Sequence, residues 1–230
     1  MRSTTVSTAD TSAPTRISIV YYSGTGNVHK LALAAEEAAT KAGAVARLRR
    51  VPEYVEASLA PEFTEWTEAW QENAAAIAAV PTASVDDLAW ADVILLGGPG
   101  RFGMIAAPLK HFIELAWPLN ARGGLQGKVM ASFTSTGAPH GGQEATILSL
   151  NAVFYHWGGI IVPPGVTDEI MTAPSNGNPY GVSSVSGRQA VPGRLAENVT
   201  EDNLAALAYQ TRRMLDVADA LRRGRTAADR

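Results

Sequence analysis

The sequence contains no cysteine among its 230 residues. Disulfide bonds, thiolate-bound zinc and a thiol nucleophile are therefore excluded, and any redox chemistry has to come from a bound cofactor. The absence of cysteine is compatible with a cytoplasmic protein, and we expect no bound metal.

Strong charge of one sign is also missing, because 19 basic and 22 acidic residues leave a formal net charge of −3. Such a charge creates no field that attracts nucleic acid, so we expect no nucleic-acid partner. No apolar run approaches the length of a membrane span, so we expect no membrane insertion. Residues 1–15 lack the apolar core of an export signal, and we expect them to form a disordered extension.

Apolar runs alternate with helix-like patterns along the rest of the chain. This alternation predicts a single α/β domain over residues 16–223, with a parallel sheet covered by helices on both faces. Residues 224–230 are expected to form a flexible Arg-rich tail. The predicted strands cover residues 17–22, 44–51, 92–97, 128–135 and 160–163, a polar insertion covers residues 52–91, and a long loop covers residues 164–199.

The first predicted strand ends in a polar loop, and a helical pattern follows at once. A helix N-terminus leaves backbone N–H groups unpaired, so a phosphate can be bound there without a lysine. The loop matches neither the Walker pattern nor the three-glycine dinucleotide pattern. The same residue types also form ordinary turns and helix caps, which is the alternative interpretation of this segment. The loop favours a phosphate monoester such as the end of flavin mononucleotide (FMN). The candidate residues are Ser23, Gly24, Thr25, Gly26, Asn27 and Val28.

Two further glycine-rich loops follow the third and fourth predicted strands. Ligands of open parallel sheets bind beyond the carboxyl ends of the strands, and all three loops lie at that edge. Their convergence predicts a binding site there. The additional candidates are Pro99, Gly100, Arg101, Phe102 and Gly103 in one loop, and Ser135, Thr136, Gly137, Ala138, Pro139, His140 and Gly141 in the other.

With these motifs, the sequence resembles the WrbA family, the flavodoxin-like quinone oxidoreductases also called tryptophan-repressor-binding proteins. The segments that carry the resemblance are 21–23, 101–103, 135–137, 141–144, 161–163 and 178–181. The resemblance implies a three-layer flavodoxin-like sandwich with a five-stranded parallel sheet in the order 2-1-3-4-5. It also implies FMN as cofactor, NADH or NADPH as electron donor, and two-electron reduction of quinones. The resemblance further implies a tetramer whose sites are completed by neighbouring subunits, and we expect this chain to form a homo-oligomer, a dimer or a tetramer.

The resemblance also assigns roles to single residues. It places His156 at the family's catalytic histidine, and it places Asn120 and Tyr180 near the substrate. Loop 23–28 corresponds to the phosphate loop, and segment 100–102 corresponds to the edge of the flavin ring. Loop 135–141 corresponds to the loop along the ribityl chain and the ring edge.

Some positions depart from the family pattern. Thr25 and Asn27 stand where the family has tyrosine and histidine, Asn120 replaces a tryptophan, and Gly100 replaces a threonine. The first two departures make the phosphate loop similar to that of the small electron-carrying flavodoxins.

Three functions are therefore compared. The first is an FMN-dependent NAD(P)H dehydrogenase (quinone) with a ping-pong mechanism, in which nicotinamide and quinone occupy the same space in turn. The second is a flavodoxin-type electron carrier that does not use nicotinamide itself. The third is a regulatory protein with a degenerate pocket. The modest charge and the long loop favour the enzyme, because a carrier is steered to its partners by a charged face and a loop of that length often covers a site.

Overall fold

The computed structural model describes residues 13–53, 64–186 and 199–228. The strands are β1 (Arg16–Tyr21), β2 (Val45–Arg50), β3 (Val93–Arg101), β4 (Met104–Ile105), β5 (Val129–Thr136), β6 (Ile160–Ile161) and β7 (Val182–Val185). The helices are α1 (Asn27–Lys41), α2 (Thr64–Ala79), α3 (Val85–Trp90), α4 (Ala107–Leu115), α5 (Trp117–Ala121), α6 (Gln143–His156) and α7 (Glu201–Ala228), with a short 3₁₀-helix at Glu169–Thr172.

The strands form a sheet in the order β2-β1-β3-β5-β6, and neighbouring strands along this path are parallel. The predicted order 2-1-3-4-5 is therefore confirmed, with β5 and β6 in the fourth and fifth positions. The sheet has seven strands rather than the predicted five. The two additional strands are short: β4 forms an antiparallel hairpin with β3, and β7 pairs in parallel with the end of β5.

The fifth position of the sheet is shared by two short strands. Val129 and Met130 at the start of β5 pair with β6, whereas the end of β5 from Phe133 onwards pairs with β7. The segment predicted as a loop over residues 164–199 therefore returns to the sheet at its carboxyl end. Because strand pairing satisfies the backbone groups of β5 along both halves, this return completes the ladder next to the predicted ligand site.

Helices cover both faces of the sheet, as predicted. The alternation of side chains in β1 sends Ile19 and Val20 to opposite faces, where both are fully buried. The face covered by α1 and α7 includes Ile17, Ile19, Tyr21, Leu31, Ala35, Leu207 and Met214. The face covered by α3, α4 and α6 includes Val20, Ile94, Leu96, Leu88, Leu109, Phe112 and Phe154.

The segments outside the sheet are more ordered than the sequence predicts. The polar insertion over residues 52–91 contains α2 and α3, and its residue Thr82 forms a β-bridge with Arg50. The extension predicted over residues 1–15 falls mostly outside the described residues. Its last residue, Thr15, is buried and accepts a hydrogen bond from Arg222 at 2.7 Å, so it belongs to the folded domain.

The last helix also extends beyond its predicted end at residue 223. Helix α7 continues to Ala228, and only residues 229–230 of the predicted tail lie outside the described residues. No helix in the described part of the chain is both long and apolar enough to cross a membrane.

Candidate functional site

The three predicted loops meet at the carboxyl edge of the sheet and form one cleft of about 170 Å³. The strands β1 and β5 flank β3 in the sheet, so their loops form the two sides of the cleft and the end of β3 forms its floor. The described residues that line it are Ser23, Gly24, Thr25, Asn27, Val28, Pro99, Gly100, Arg101, Ser135, Thr136, Gly137 and Ser186.

The β1 side of the cleft is a loop that turns directly into helix α1. Gly26 stands at the N-cap with a φ of 94°, a left-handed conformation that glycine adopts without strain, and no side chain caps the helix there. The backbone N–H groups of the first turn therefore have no intrahelical acceptors. Asn27 is buried, and its Nδ2 has no hydrogen-bond partner within the described part of the chain. These groups are donors in need of an acceptor.

The β5 side of the cleft presents a second buried polar atom of this kind. Ser135 is buried, and its Oγ has no partner among the described residues. The following loop is held by Gln143, which donates to the Ala138 carbonyl at 2.7 Å and accepts from the Gly141 N–H at 3.1 Å. This wall is therefore a fixed loop with an unsatisfied hydroxyl at its edge.

Arg101 is the charged side chain among the described lining residues. Its Nη2 donates to the hydroxyl of Tyr22 at 3.2 Å, and that hydroxyl donates in turn to the carboxylate of Glu53. Burial, together with the hydrogen bond to Glu53, raises the pKa of Tyr22 well above its usual value. The phenol therefore stays protonated and remains a hydrogen-bonding link between the two charged groups.

Phe102 lies beside this site at the tip of the β3–β4 hairpin. It has a φ of 54°, which is uncommon for a residue other than glycine, and its side chain is fully exposed. Phe102 and the adjacent Gly103 do not line the cleft. The Phe102 side chain projects next to it, whereas Gly103 is partly buried. A strained, exposed aromatic residue beside a cleft is placed to contact something outside the chain's own core.

The remaining predicted cofactor residues lie near the cleft without lining it. Gly26 belongs to the backbone of the β1 loop, and Ala138, His140 and Gly141 belong to the loop that follows Gly137. Pro139 faces a neighbouring polar cleft instead, between this loop and residues 174–178.

The predicted catalytic histidine is placed at the opposite edge of the sheet. Helix α6 starts beside the cleft, and its 14 residues span about 21 Å before His156. Two residues later Gly158 accepts a hydrogen bond from Gly127 at 2.9 Å, which locates this helix end at the amino edge of the sheet. Asn120 belongs to α5 at the same edge, and Tyr180 precedes β7 and does not line the cleft. The fold of one chain thus does not bring these residues to the cleft.

Two residues at the site were not predicted. Ser186 follows β7 and lines the cleft. The short alternating run before it is the sequence feature that could have indicated a strand at this place. Asn73 of α2 contacts the β1 loop from its outer side, donating to the Thr25 carbonyl at 3.3 Å. No sequence pattern indicates this second contact.

A parallel sheet in this strand order, with unpaired donors where the first strand turns into its helix, defines a mononucleotide-binding α/β protein.

Residues 18–169 match the family described as NADPH-dependent FMN reductase. The NAD(P)H dehydrogenase (quinone) of Deinococcus radiodurans is 34% identical over 209 residues, which cover 91% of this chain and 98% of that protein. The protein of the same name from Geobacter sulfurreducens is 39% identical over 211 residues, covering 88% of this chain and 97% of that protein. The chain belongs to the NADPH-dependent FMN reductase family.

Structural similarity agrees with the predicted fold. A crystal structure described as a flavodoxin, WrbA-like protein from Agrobacterium tumefaciens superposes with a TM-score of 0.57 at 20% identity, covering 89% of this chain and 97% of that chain. At this level of identity the likeness concerns the fold, and it confirms that the architecture is flavodoxin-like.

Proposed function

We propose that this protein is an FMN-dependent NAD(P)H:quinone oxidoreductase, with the α/β domain described above as its FMN-binding domain. The observation that carries the proposal concerns two of the five buried side-chain atoms that have no partner among the described residues: Asn27 Nδ2 and Ser135 Oγ belong to residues on the two sides of one cleft. Buried polar groups are nearly always hydrogen-bonded, so this pair indicates a ligand that supplies the missing acceptors. The names and coverage of the two relatives support the reaction class.

The residues of the cleft fit FMN in a definite orientation. The β1 loop offers neutral donors to a phosphate dianion, and the start of α1 adds its dipole. The volume of about 170 Å³ is small beside pockets that enclose drug-sized ligands, which measure about 300–1,000 Å³. The cleft would therefore hold the phosphate and part of the ribityl chain, and Arg101 at its rim would be the residue nearest to the flavin ring.

Bound FMN supplies the two-electron chemistry that passes a hydride from a nicotinamide to a quinone. The chain's own contribution is to bind the phosphate, to orient the ring and to leave one ring face accessible. With FMN bound, the guanidinium of Arg101 would stand at the rim of the cleft, where a fixed cation would stabilise negative charge on a reduced flavin. Its hydrogen bond to Tyr22 keeps that charge in place.

We further propose that the protein is a cytoplasmic member of the WrbA subgroup and works as a homo-oligomer, a tetramer in that subgroup. The exposed side chains of Trp117 (71%) and Tyr155 (73%) support self-association, because both belong to helix segments near the amino edge and a contact between subunits would remove their apolar surface from water. The placement of His156 and Asn120 at the amino edge supports a site that two chains build together. In that arrangement one subunit would hold FMN and its neighbour would present His156 and Asn120.

The competing function is a flavodoxin-type electron carrier, which the Ser-Gly-Thr-Gly-Asn loop favours. The two functions differ in direct use of nicotinamide. FMN-loaded protein is mixed anaerobically with NADH or NADPH, with and without benzoquinone, while nicotinamide oxidation and flavin bleaching are followed by absorbance. We expect bleaching by a nicotinamide and rapid recolouring by benzoquinone. If neither NADH nor NADPH bleaches the flavin, but a strong chemical reductant bleaches it, the protein is the electron carrier instead.

A further inference from the structure

Helix α2, the longer helix of the polar insertion, covers the outer side of the β1 loop. Its contact is made by Asn73, which donates from Nδ2 to the Ala69 carbonyl at 2.8 Å and to the Thr25 carbonyl at 3.3 Å. Ala69, one turn earlier on the same side of α2, is fully buried, whereas Gln71 and Glu72 are exposed. The insertion therefore directs one polar side chain at the loop.

The contact determines which way one peptide group of the loop points. The peptide bond between Thr25 and Gly26 is planar and trans, so its carbonyl and its N–H point in opposite directions. With the Thr25 carbonyl held outward by Asn73, the Gly26 N–H is directed into the loop, where it donates a hydrogen bond to Ser23 Oγ at 3.2 Å. This is the orientation in which the loop can direct its donors toward an anion.

The Asn73 side chain also fills the space beside Gly26. A Cβ added to Gly26 would lie 2.4 Å from the Asn73 Cγ and Oδ1 and 2.8 Å from its Nδ2. Gly26 needs support because glycine has the largest conformational freedom and no side chain caps α1. The neighbouring amide therefore takes the place of a missing side chain and limits the movement of the loop.

We infer that Asn73 is a positioning residue for the phosphate of FMN, acting through the Thr25–Gly26 peptide; this inference rests on the phosphate position proposed above. Converging backbone N–H groups bind an anion well only when they are held in place beforehand, since otherwise binding has to order them. The insertion, which has no other assigned role, thus becomes part of the cofactor site without touching the cofactor.

The test compares FMN with riboflavin, which lacks the phosphate. Both affinities are measured by flavin fluorescence for the wild-type protein and for Asn73→Ala, Asn73→Asp and the control Gln71→Ala, an exposed amide on the same helix. We expect Asn73→Ala to weaken FMN binding about three- to tenfold, the range for one hydrogen bond, with riboflavin affinity unchanged. Asn73→Asp should weaken FMN binding further, and added salt should reduce this difference because it screens the new charge. Gln71→Ala should bind both ligands as the wild type does.

The outcomes separate this inference from the proposed function. Equal losses for FMN and riboflavin, or unchanged FMN affinity in both Asn73 variants, would overturn it while leaving the phosphate position intact. A wild-type protein that binds both flavins equally well would overturn the phosphate position and this inference together. Thermal melting of the four apoproteins checks that folding is preserved, and we expect the wild-type and Gln71→Ala transitions to coincide.

Discussion

The guanidinium of Arg101 donates to the Tyr22 hydroxyl at 3.2 Å, and its central carbon lies 5.5 Å from the centre of the Tyr22 ring. Tyr22 is almost completely buried and donates onward to Glu53, so the cation is connected to a fixed hydrogen-bonded pair behind it. A long cationic side chain at a pocket rim would otherwise sample many rotamers, at a cost in side-chain entropy on binding. This contact makes Arg101 a preorganised charge.

We expect Arg101→Gln to lower the two-electron reduction potential of bound FMN. Removing the cation disfavours the negatively charged reduced state, and a charge interaction of about 1 kcal/mol corresponds to about 20 mV for two electrons. The potential is measured by equilibration with a reference dye. Arg212→Gln is the control, because Arg212 is an exposed residue of α7, away from the cleft and from the edge that carries His156 and Asn120. Equal potentials in the Arg101 variant and the wild type would contradict the placement of the flavin ring.

Tyr22→Phe provides a second test of the same relationship. It removes the hydroxyl that accepts from Arg101 but keeps the charge and the ring. We expect a shift of the potential in the same direction as for Arg101→Gln, but smaller. A larger shift than that of Arg101→Gln would mean that Tyr22 acts on the cofactor by itself.

Two serines of β5 are expected to respond in opposite ways to replacement by alanine. Ser135 Oγ has no partner among the described residues, whereas Ser132 Oγ donates to Asn151 Oδ1 at 3.0 Å. Ser135→Ala should leave the apoprotein equally or more stable, because it removes an unsatisfied buried group, and should weaken FMN binding about threefold or more. Ser132→Ala should destabilise the apoprotein by about 1 kcal/mol, since Asn151 loses its donor, with FMN affinity unchanged.

Urea unfolding of the apoproteins and fluorescence titration with FMN measure both effects. Because the two serines lie three residues apart on the same strand, general damage to β5 would affect both variants alike. A Ser135→Ala protein that is less stable and binds FMN normally would show that this hydroxyl has a structural role.

Most residues of the cleft can be predicted from the sequence alone, whereas the contacts between distant segments cannot. Apart from Ser186, every described lining residue of the cleft is predicted, because a strand, a glycine-rich turn and a helix follow one another locally and parallel strands align their ends. The contact of Asn73 with Thr25 is not predictable in this way, since it joins positions 48 residues apart through an alanine-rich helix without a specific pattern. The strand β7 was missed for a similar reason, because four residues acquire strand structure only by pairing with the open end of β5.

The position of His156 is a different case, because the sequence contained the information. A helix that begins after the third loop and ends at His156 is long enough to carry that residue to the opposite edge of the sheet. If His156 has the role in the site that the resemblance assigns to it, it therefore acts in the site of a second subunit.

A pH dependence of stability is expected from the amino edge of the sheet. Asp92 accepts hydrogen bonds from the Arg16 side chain at 2.9 and 3.2 Å and from its backbone N–H at 3.0 Å. Burial alone would raise the pKa of Asp92, but these hydrogen bonds outweigh it and the pKa lies below its ordinary value. The ionised carboxylate is thus favoured in the folded state. Its stabilisation is complete above the unfolded pKa of about 3.9 and is lost as the pH falls through the lower folded value.

We therefore expect Asp92→Asn to lower the free energy of unfolding by about 1–2 kcal/mol at pH 7. The difference from the wild type should diminish toward pH 3, as the wild-type carboxylate becomes protonated. Urea unfolding at pH 7, 5 and 3 measures it. Glu37→Gln removes an exposed partner of Lys41 and serves as the control, for which we expect no measurable change. A difference that grows on acidification would contradict a lowered pKa of Asp92 in the folded state.

The last prediction concerns assembly. Trp117 and Tyr155 are exposed, and His156 follows Tyr155 directly. If these residues form the contact between subunits, Trp117→Glu places a charge in an apolar interface and should dissociate the oligomer, as measured by light scattering after gel filtration. FMN affinity should remain near that of the wild type, because Trp117 does not line the cleft, while quinone turnover should fall by about tenfold or more as His156 is withdrawn from the neighbouring site.

His156→Ala separates the two parts of this prediction. It should reduce turnover to a similar degree while the oligomer and the bound FMN are retained. Leu33→Glu is the matched control, since Leu33 is 42% exposed on α1 in the other helical layer, and we expect it to change neither the assembly nor the turnover. A wild-type protein that is monomeric and fully active, or a monomeric Trp117→Glu protein with undiminished turnover, would show that one chain forms the complete site. The role of His156 would then have to be abandoned, because α6 holds it about 21 Å from the start of that helix beside the cleft.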